Sequence, residues 1–468
     1  MYEVMIGLEV HVELLTEHKI FCGCRNSFTR QINSNTCEIC TGLPGAIPVF
    51  NRECIKPAVT AGKILNCKIN GRSSFDRKNY FYPDLPKGYQ ITQFYSPICG
   101  EGRIYLPVAD KTIRIREIHL EDDAAKILRD ENGITVDYCR CGVPLIEIVT
   151  YPDFVSGEEA AEFLDILRRD LRASRVSDCK MEEGSLRADV NLSVRKPGQE
   201  PGVRTEMKNL ASLKAVLRAC EYEAQRQIDV LEDGGRIIRE TRRFDEDNGV
   251  TLSMRSKEDS ADYKYFPEPD IPDVFVNDQE IVDIFSSMPE LPSQKQKRFE
   301  EMGVRREDAY NLCTDDHIAE LFESAVSVSA EPQKTASFIL TNYLKLWRDD
   351  PAGKIKSEAV GSIVRLVCSK VITPSSAKTI LEALYENGGD PECYAREHGL
   401  ILERSVDAIK AAVDRVFEAP ENAKAVKEFY EGKEKVRGFL TGKVMKETKG
   451  TADPEVVSEI LDERLFRK

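Results

Sequence analysis

The sequence has no run of about 20 apolar residues of the kind that spans a bilayer, so none of its 468 residues is expected to cross a membrane. It has no excess of positive charge. Lys and Arg number 66 against 80 Asp and Glu, a net of −14, which excludes a protein that coats nucleic acid by bulk charge and leaves room only for local basic patches. The opening Met1-Tyr2-Glu3 lacks a basic stretch before an apolar core, so no secretory leader is expected. The phosphate cradle G-x-x-x-x-G-K-[ST] is missing, as is the G-x-S-x-G nucleophile elbow. P-loop nucleotide binding and α/β-hydrolase chemistry are thereby excluded, and any nucleotide must be held by sheet residues and metal. The 14 cysteines are mostly scattered singly, the pattern of a reduced, cytoplasmic compartment where thiols hold metals or lie buried. A chain of this length makes roughly two to four domains with sizeable cores of their own.

What is present begins with four of those cysteines. Cys22-x-Cys24 and Cys37-x-x-Cys40 are two close pairs with twelve residues between them. Such pairs supply four thiolates to one tetrahedral ion, and zinc is the usual occupant. A four-thiolate shell leaves no open position for water, so a structural zinc knuckle is expected and a zinc hydrolase is not. Cys139-x-Cys141 has no partner pair nearby in sequence and reads as two buried thiols.

Residues 1–290 read as strands and turns with a few helices, and the remainder reads as helices. Phe266-Pro267-Glu268-Pro269-Asp270-Ile271-Pro272 and Met288-Pro289-Glu290-Leu291-Pro292 punctuate the change, because prolines this dense cannot lie inside a helix or a central strand. Apolar residues at every second position from Tyr2 to Leu14 predict a strand with Glu9, His11 and Glu13 on its polar face. Leu186, Ala188, Val190, Leu192 and Val194 repeat the pattern, with Arg187, Asp189, Asn191 and Ser193 opposite. A third strand runs through residues 112–121. Its alternation slips between Ile115 and Ile118, which predicts a bulge, and beyond the slip Glu117, His119 and Glu121 face one way. Half-buried strands of this type predict a largely antiparallel sheet. Helices are expected from a Ser156/Glu159 capping box, from residues 212–232 up to Gly234-Gly235, and after Asp453-Pro454. The expected fold class is α+β: a mainly antiparallel domain with a zinc knuckle over residues 1–290, a helical domain over 291–403, and a small helical tail domain over 404–468.

The strands also carry acids. In Val143-Pro144-Leu145-Ile146-Glu147-Ile148-Val149, the carboxylate of Glu147 shares its strand face with Val143, Leu145 and Val149. A charge left unpaired there is costly, so Glu147 needs a cation or a raised pKa. Glu9, His11, Glu121 and Glu147 are either separate salt-bridge partners or ligands of one hard ion; carboxylates plus one imidazole suit Mg²⁺ with waters and phosphate oxygens completing the shell. Residues 77–89 pack basic and aromatic side chains around Pro83 and Pro86, either as an ordinary loop or as a clamp for phosphate or nucleic acid. Residues 424–449 hold eight Lys and Arg against four Glu. That local excess is either a solvated helix face or a contact for an RNA backbone.

Several segments resemble one known family along nearly the whole chain. They are Ile6-Gly7-Leu8-Glu9-Val10-His11, the cysteine knuckle, residues 77–88, His119-Leu120-Glu121-Asp122-Asp123-Ala124, Gly142-Val143-Pro144-Leu145-Ile146-Glu147-Ile148, Met181-Glu182-Glu183-Gly184-Ser185-Leu186-Arg187, Met254-Arg255-Ser256-Lys257-Glu258, Asp262-Tyr263-Lys264-Tyr265-Phe266-Pro267-Glu268-Pro269, and the tail motif Gly438-Phe439-Leu440-Thr441-Gly442-Lys443-Val444-Met445-Lys446. The family is that of the B subunits of the aspartyl/glutamyl-tRNA(Asn/Gln) amidotransferases. The resemblance implies a cradle-shaped α+β domain, a helical domain and a tRNA-contacting tail. It also implies a reaction: ATP phosphorylates the side-chain carboxylate of Glu or Asp misacylated on tRNA(Gln) or tRNA(Asn), and ammonia released by a glutaminase partner, the A subunit, displaces the phosphate. A third component, the C subunit, comes with the family, as do a heterotrimeric assembly and a cytoplasmic location. By the same resemblance Glu9, His11, Glu121 and Glu147 fall on Mg²⁺ and kinase-site positions, Cys22, Cys24, Cys37 and Cys40 on zinc positions, and Lys78, Arg187 and Lys208 on family motif positions, candidates for cofactor binding to which the resemblance assigns no separate ATP, tRNA or channel role. The chain departs from the family at Asp137-Tyr138-Cys139-Arg140-Cys141-Gly142, where the family carries Asn and Ala in place of the two thiols. A rival reading, a non-enzymatic tRNA-binding scaffold of the same complex, is permitted by the knuckle and tail but gives no reason for Glu147.

Overall fold

The computed structural model describes all residues except 1, 132, 257–262, 403–404, 431–433, 449–450 and 467–468. The domain start read at Arg404, Lys257 and Glu258 of one family motif, and Glu431, Lys433 and Lys449 of the basic tail lie outside the described residues. The chain divides into two compact units, residues 1–291 and 292–468.

The first unit is built on a sheet of eleven strands. In chain order these are β1 (Glu3–Glu13), β2 (Asp76–Asn79), β3 (Tyr89–Thr92), β4 (Gly102–Leu106), β5 (Lys111–Asp122), β6 (Pro144–Thr150), β7 (Leu186–Arg195), β8 (Thr205–Lys208), β9 (Glu240–Asp245), β10 (Val250–Ser256) and β11 (Phe266–Pro267). Their spatial order is β10-β9-β8-β7-β1-β6-β5-β3-β2-β11, with β4 on the side of β5. All pairings are antiparallel except β8 with β9. The register of β5 on β6 shifts between Ile115 and Glu117, where the sequence alternation slips.

Strict alternation decides what each face carries. Leu8, Val10 and Val12 of β1, Ile146 and Ile148 of β6, and Val190 and Leu192 of β7 enter one core with the helices α1 (Ile55–Ile64), α2 (Gly157–Ala173) and α3 (Leu213–Glu232). Each fully buried aliphatic side chain contributes roughly 1.5–3 kcal/mol, enough to fix the register of every strand that supplies several. Ser156 caps α2 by accepting from the Glu159 amide at 3.3 Å, but the Glu159 carboxylate accepts from Val155 N (3.0 Å) rather than closing the box on Ser156. Ser212 caps α3 through the Ala215 amide (3.0 Å).

Residues 77–89, read from sequence as one turn, are a β2–loop–β3 hairpin, so Lys78 projects from a strand. Arg, Lys and Asn are poor strand formers. Pairing with β3 on one side and with Phe266-Pro267 on the other overrides that preference. The proline tolerates its place because β11 is an edge strand.

The second unit is helical. One core gathers residues from Phe299 to Ala395 and another residues from Ile409 to Leu461. Its last helix, Pro454–Phe466, starts after Asp453, whose carboxylate accepts from the Glu455 amide at 3.0 Å. No helix among the described residues is long and apolar enough to cross a membrane.

Candidate active site

The sheet register lines up side chains that the sequence holds far apart. On the polar face, Arg187 of β7 lies opposite His11 of β1, His11 opposite Glu147 of β6, and Glu147 opposite His119 of β5. Glu121, two residues beyond His119, completes the group. His11 Nε2 is 3.4 Å from Glu121 Oε1 and 3.5 Å from Glu147 Oε2, and His119 Nε2 is 3.0 Å from Glu147 Oε2. The carboxylate expected to need a cation therefore has two imidazoles.

The electrostatics follow from that geometry. Burial disfavours the charged forms of His11, His119 and Glu147. For His11 the carboxylates of Glu147 and Glu121 outweigh burial and raise its pKa to about 9; for His119 the same pair raises it to about 10. Burial alone would push Glu147 up, but His11 and His119 hold it well below the ordinary carboxylate range. Nδ1 of His119 and Nε of Arg187 are buried and find no hydrogen-bond partner among the described residues.

Of the three predicted cations, Lys78 and Arg187 flank the group and Lys208 does not. Lys78 reaches it from β2; burial opposes its charge, yet Glu121, Tyr265 and Glu147 raise its pKa above the usual lysine value. Arg187 donates from Nη2 to Asp123 Oδ2 at 2.8 Å. Lys208 is paired instead with Asp189 and, at 3.1 Å, with Glu206. Glu9 belongs to that side: its carboxylate lies within 4.8 Å of those of Asp189 and Glu206, and Asn191 Nδ2 donates to it at 3.1 Å. Burial first, and then Glu147, Glu206 and Asp189, raise the Glu9 pKa. The structure thus brings His11, Glu121 and Glu147 within 4.8 Å of one another and sets Glu9 in a neighbouring acidic group.

The four cysteines converge. The ligand atoms of Cys22, Cys24, Cys37 and Cys40 lie within 4.8 Å of one another, with 3.8 Å between Cys37 Sγ and Cys40 Sγ. An edge of about 3.8 Å is what tetrahedral Zn–S bonds of about 2.3 Å require, so the cluster can bind a metal such as zinc. Lys19 lies fully buried beneath it, donating to Asn35 O at 2.9 Å and standing 3.9 Å from Cys40 Sγ. The Cys40 thiol is pulled down by the Cys22 thiol against burial, with the Cys37 amide and Lys19 adding to the effect.

Hydrogen bonds join the knuckle to the row. Asn33, in the loop between the cysteine pairs, receives the Tyr138 amide (2.7 Å), donates from Nδ2 to Val136 O (3.0 Å), and donates its own amide to Asp137 Oδ1 (3.0 Å). In the next turn Arg140 donates to Ala124 O (2.9 Å) and Ala125 O (3.0 Å) and lies 3.3 Å from Asp123, the partner of Arg187. Cys141, read as an unremarkable buried thiol, packs in one small apolar cluster with Cys22, Cys40 and Ala125. Cys139 is partly buried, its Sγ 3.6 Å from Gln31 O in the knuckle loop.

Residues 4–282 match the family described as the GatB/GatE catalytic domain, and residues 320–465 the one described as the GatB domain. The chain belongs to the GatB family. It is 48% identical over 481 aligned positions to the B subunit of the aspartyl/glutamyl-tRNA(Asn/Gln) amidotransferase of Caldicellulosiruptor saccharolyticus, covering 99% of each chain. The B subunits of the same amidotransferase from Caldicellulosiruptor bescii (47%, 99% of each chain) and Carboxydothermus hydrogenoformans (45%, 100% of this chain and 99% of the relative) are similar to it in the same way. The match to the GatB/GatE catalytic domain spans every candidate residue described above. One imidazole and two carboxylates at this spacing suit a hard divalent cation that keeps several waters. Sequence reading of this GatB chain missed His119, which was placed on the right face but given no role. The signal was its period-two position beside Glu121. Asp189 and Glu206 were missed because only the pairing of β1, β7 and β8 brings them to Glu9.

Proposed function

We propose that the chain is the component of an ATP-dependent tRNA amidotransferase that activates the side-chain carboxylate of Glu or Asp carried on misacylated tRNA(Gln) or tRNA(Asn). In this reading a carboxylate oxygen attacks the γ-phosphorus of ATP, giving an acyl phosphate and ADP. Ammonia then attacks the carbonyl carbon, the amide forms, and inorganic phosphate leaves. A bare carboxylate is a poor acyl donor to ammonia, so the phosphorylation supplies the leaving group. The observation that carries the reading is the in-register row His11–Glu147–His119 with Glu121 beside it, lying between the cations Lys78 and Arg187. Phosphoryl transfer needs positioning and charge neutralisation more than covalent help.

His11, Glu121 and Glu147 would hold Mg²⁺, with Glu9 alongside, and the ion when bound neutralises phosphate charge. His119 orients Glu147 through its 3.0 Å contact. Lys78 and Arg187 are suited to phosphate oxygens, and Lys208 steadies the Glu9 group. The ammonia comes from the glutaminase partner, the A subunit, and the C subunit completes a cytoplasmic heterotrimer. The cradle spans 1–290, a helical domain 291–403, and a tRNA-contacting tail 404–468. The tail's basic side chains are not all available for RNA: Arg437 is held by Asp462 and Ser458, both at 2.6 Å.

The test is reconstitution with the partner proteins and both misacylated tRNAs, following amide formation with glutamine and with added ammonium. Amidation that needs ATP and survives on ammonium without the glutaminase partner supports the reading. A complex that binds the tRNA yet shows no Mg²⁺-dependent ATP affinity would leave only the scaffold role.

A further inference from the structure

The Lys78 end of the row adjoins aromatic rings that the chemistry above does not use. Phe94 and Tyr265 stack with centroids 4.0 Å apart and planes 11° from parallel. Tyr95 meets Phe94 edge-on at 5.0 Å, and Tyr263 meets Tyr265 edge-on at 6.1 Å. The Lys78 ammonium sits 5.0 Å from the centre of the Tyr263 ring. Rings of this size normally go inside, yet Phe94 is 50% exposed, Tyr95 60% and, on the adjoining hairpin loop, Phe81 94%. Exposed apolar patches of this kind mark interaction surfaces.

Hydrogen bonds hold the backbone of the shelf next to the site. Oδ2 of the buried Asp76 accepts from the amides of Phe94 (2.8 Å) and Tyr95 (3.0 Å), which fixes the turn after β3 that carries both rings. The Asn79 amide donates to Tyr263 O at 2.8 Å, and its side chain to Lys264 O at 2.7 Å, fastening the opposite wall. Thr92, two residues before Phe94, lies directly opposite Glu121 in the sheet.

The substrate class gives this surface a task. An amino acid carried on tRNA is esterified to the 3′-terminal nucleotide, so an unpaired base must come to rest beside wherever the carboxylate reacts. Flat, half-exposed, pre-set rings are what unpaired bases stack on. We propose that the Phe94–Tyr265 shelf, edged by Tyr95 and Tyr263, stacks the 3′-terminal base of the aminoacylated tRNA and so delivers its aminoacyl group to the Glu121–Glu147 row. The inference rests on the tRNA-amidating role proposed above. The adenine of ATP is flat as well, and the experiment separates the two.

In the complete complex, Phe94→Leu keeps apolar bulk and removes the flat face, whereas Phe94→Trp keeps and enlarges it. Stacking on an aromatic ring predicts that Phe94→Leu raises KM and Kd for the misacylated tRNA roughly 5- to 150-fold, with KM for ATP and zinc content unchanged, and that Phe94→Trp restores both. A misacylated tRNA lacking its terminal base should weaken by a similar factor in the unaltered complex and no further in Phe94→Leu. The proposal is overturned if Phe94→Leu moves KM for ATP instead, if neither constant moves, or if base removal and Phe94→Leu multiply. Kd for the two RNAs is read without ATP, so it decides the matter even in a complex that fails to amidate; that failure would count against the proposed reaction and not against the shelf.

Discussion

Glu147 stays ionised in a half-buried position because His11 and His119 face it across two strand pairings. Removing its charge while keeping its shape should leave both imidazoles without their main carboxylate. Glu147→Gln is therefore expected to lower ammonium-dependent amidation by roughly 10²–10³-fold, the range for loss of one pre-set electrostatic group, with zinc content unchanged. Retention of full amidation by this variant would exclude Glu147 from the site. Lys19 is the corresponding residue of the knuckle: a buried ammonium beside thiolates, with no solvent to share its charge. Lys19→Met keeps the stem and removes the charge, and should weaken zinc retention in a chelator competition. A zinc affinity equal to that of the unaltered chain would make Lys19 a packing residue only.

Three of the strands that carry the site were legible in the sequence because they alternate: β1 and β7 over their whole length, β5 on either side of its bulge at Ile115–Glu117. The four-cysteine knuckle was legible because all its ligands lie within one short segment. The rest needed pairing information that no local pattern contains. Nothing near Cys141 announces that it packs on Cys22 and Cys40, and nothing near Glu9 announces Asp189. Lys78 was assigned to a loop because its neighbours have turn chemistry, while its strand exists only through its partners on both sides. The knuckle acts at this same scale, as a staple on the segment after β1. Cys37→Ser should abolish zinc binding and lower the unfolding midpoint of the cradle first, with catalysis falling as a consequence; a zinc-free variant of undiminished stability would remove the staple role. Asn33 has a left-handed φ of 57°, which glycine also adopts. Asn33→Gly thus removes only the two side-chain hydrogen bonds to Val136 and Tyr138. It is expected to cost about 1–3 kcal/mol in denaturant unfolding with zinc stoichiometry intact.

Over the whole chain the net charge is −14, and the locally basic segment near the C-terminus lies in the second unit. Among the described residues, the core of the first unit is assembled from side chains within residues 1–291. That unit expressed alone should fold and take up about one zinc, as four thiolates at one centre require. Metal analysis and circular dichroism check this, and an unfolded or zinc-free product would show that it depends on the rest of the chain. Binding of tRNA by the full chain should fall steeply with added salt, since contacts to phosphate release counterions; a salt-independent Kd would exclude the basic segment as the backbone contact.

The register that aligns Arg187, His11, Glu147 and His119 also sets a time order. His11 leaves the ribosome well before its sheet neighbours Glu147 and Arg187, which lie 136 and 176 residues further along the chain. Closing such distant pairings is slow relative to local folding. A nascent or truncated chain that stops before β6 holds His11, His119 and Glu121 but lacks Glu147, the residue that joins them. An unfinished copy therefore carries both imidazoles before the carboxylate that pairs them, and the row closes only when β6 has been added between β1 and β5.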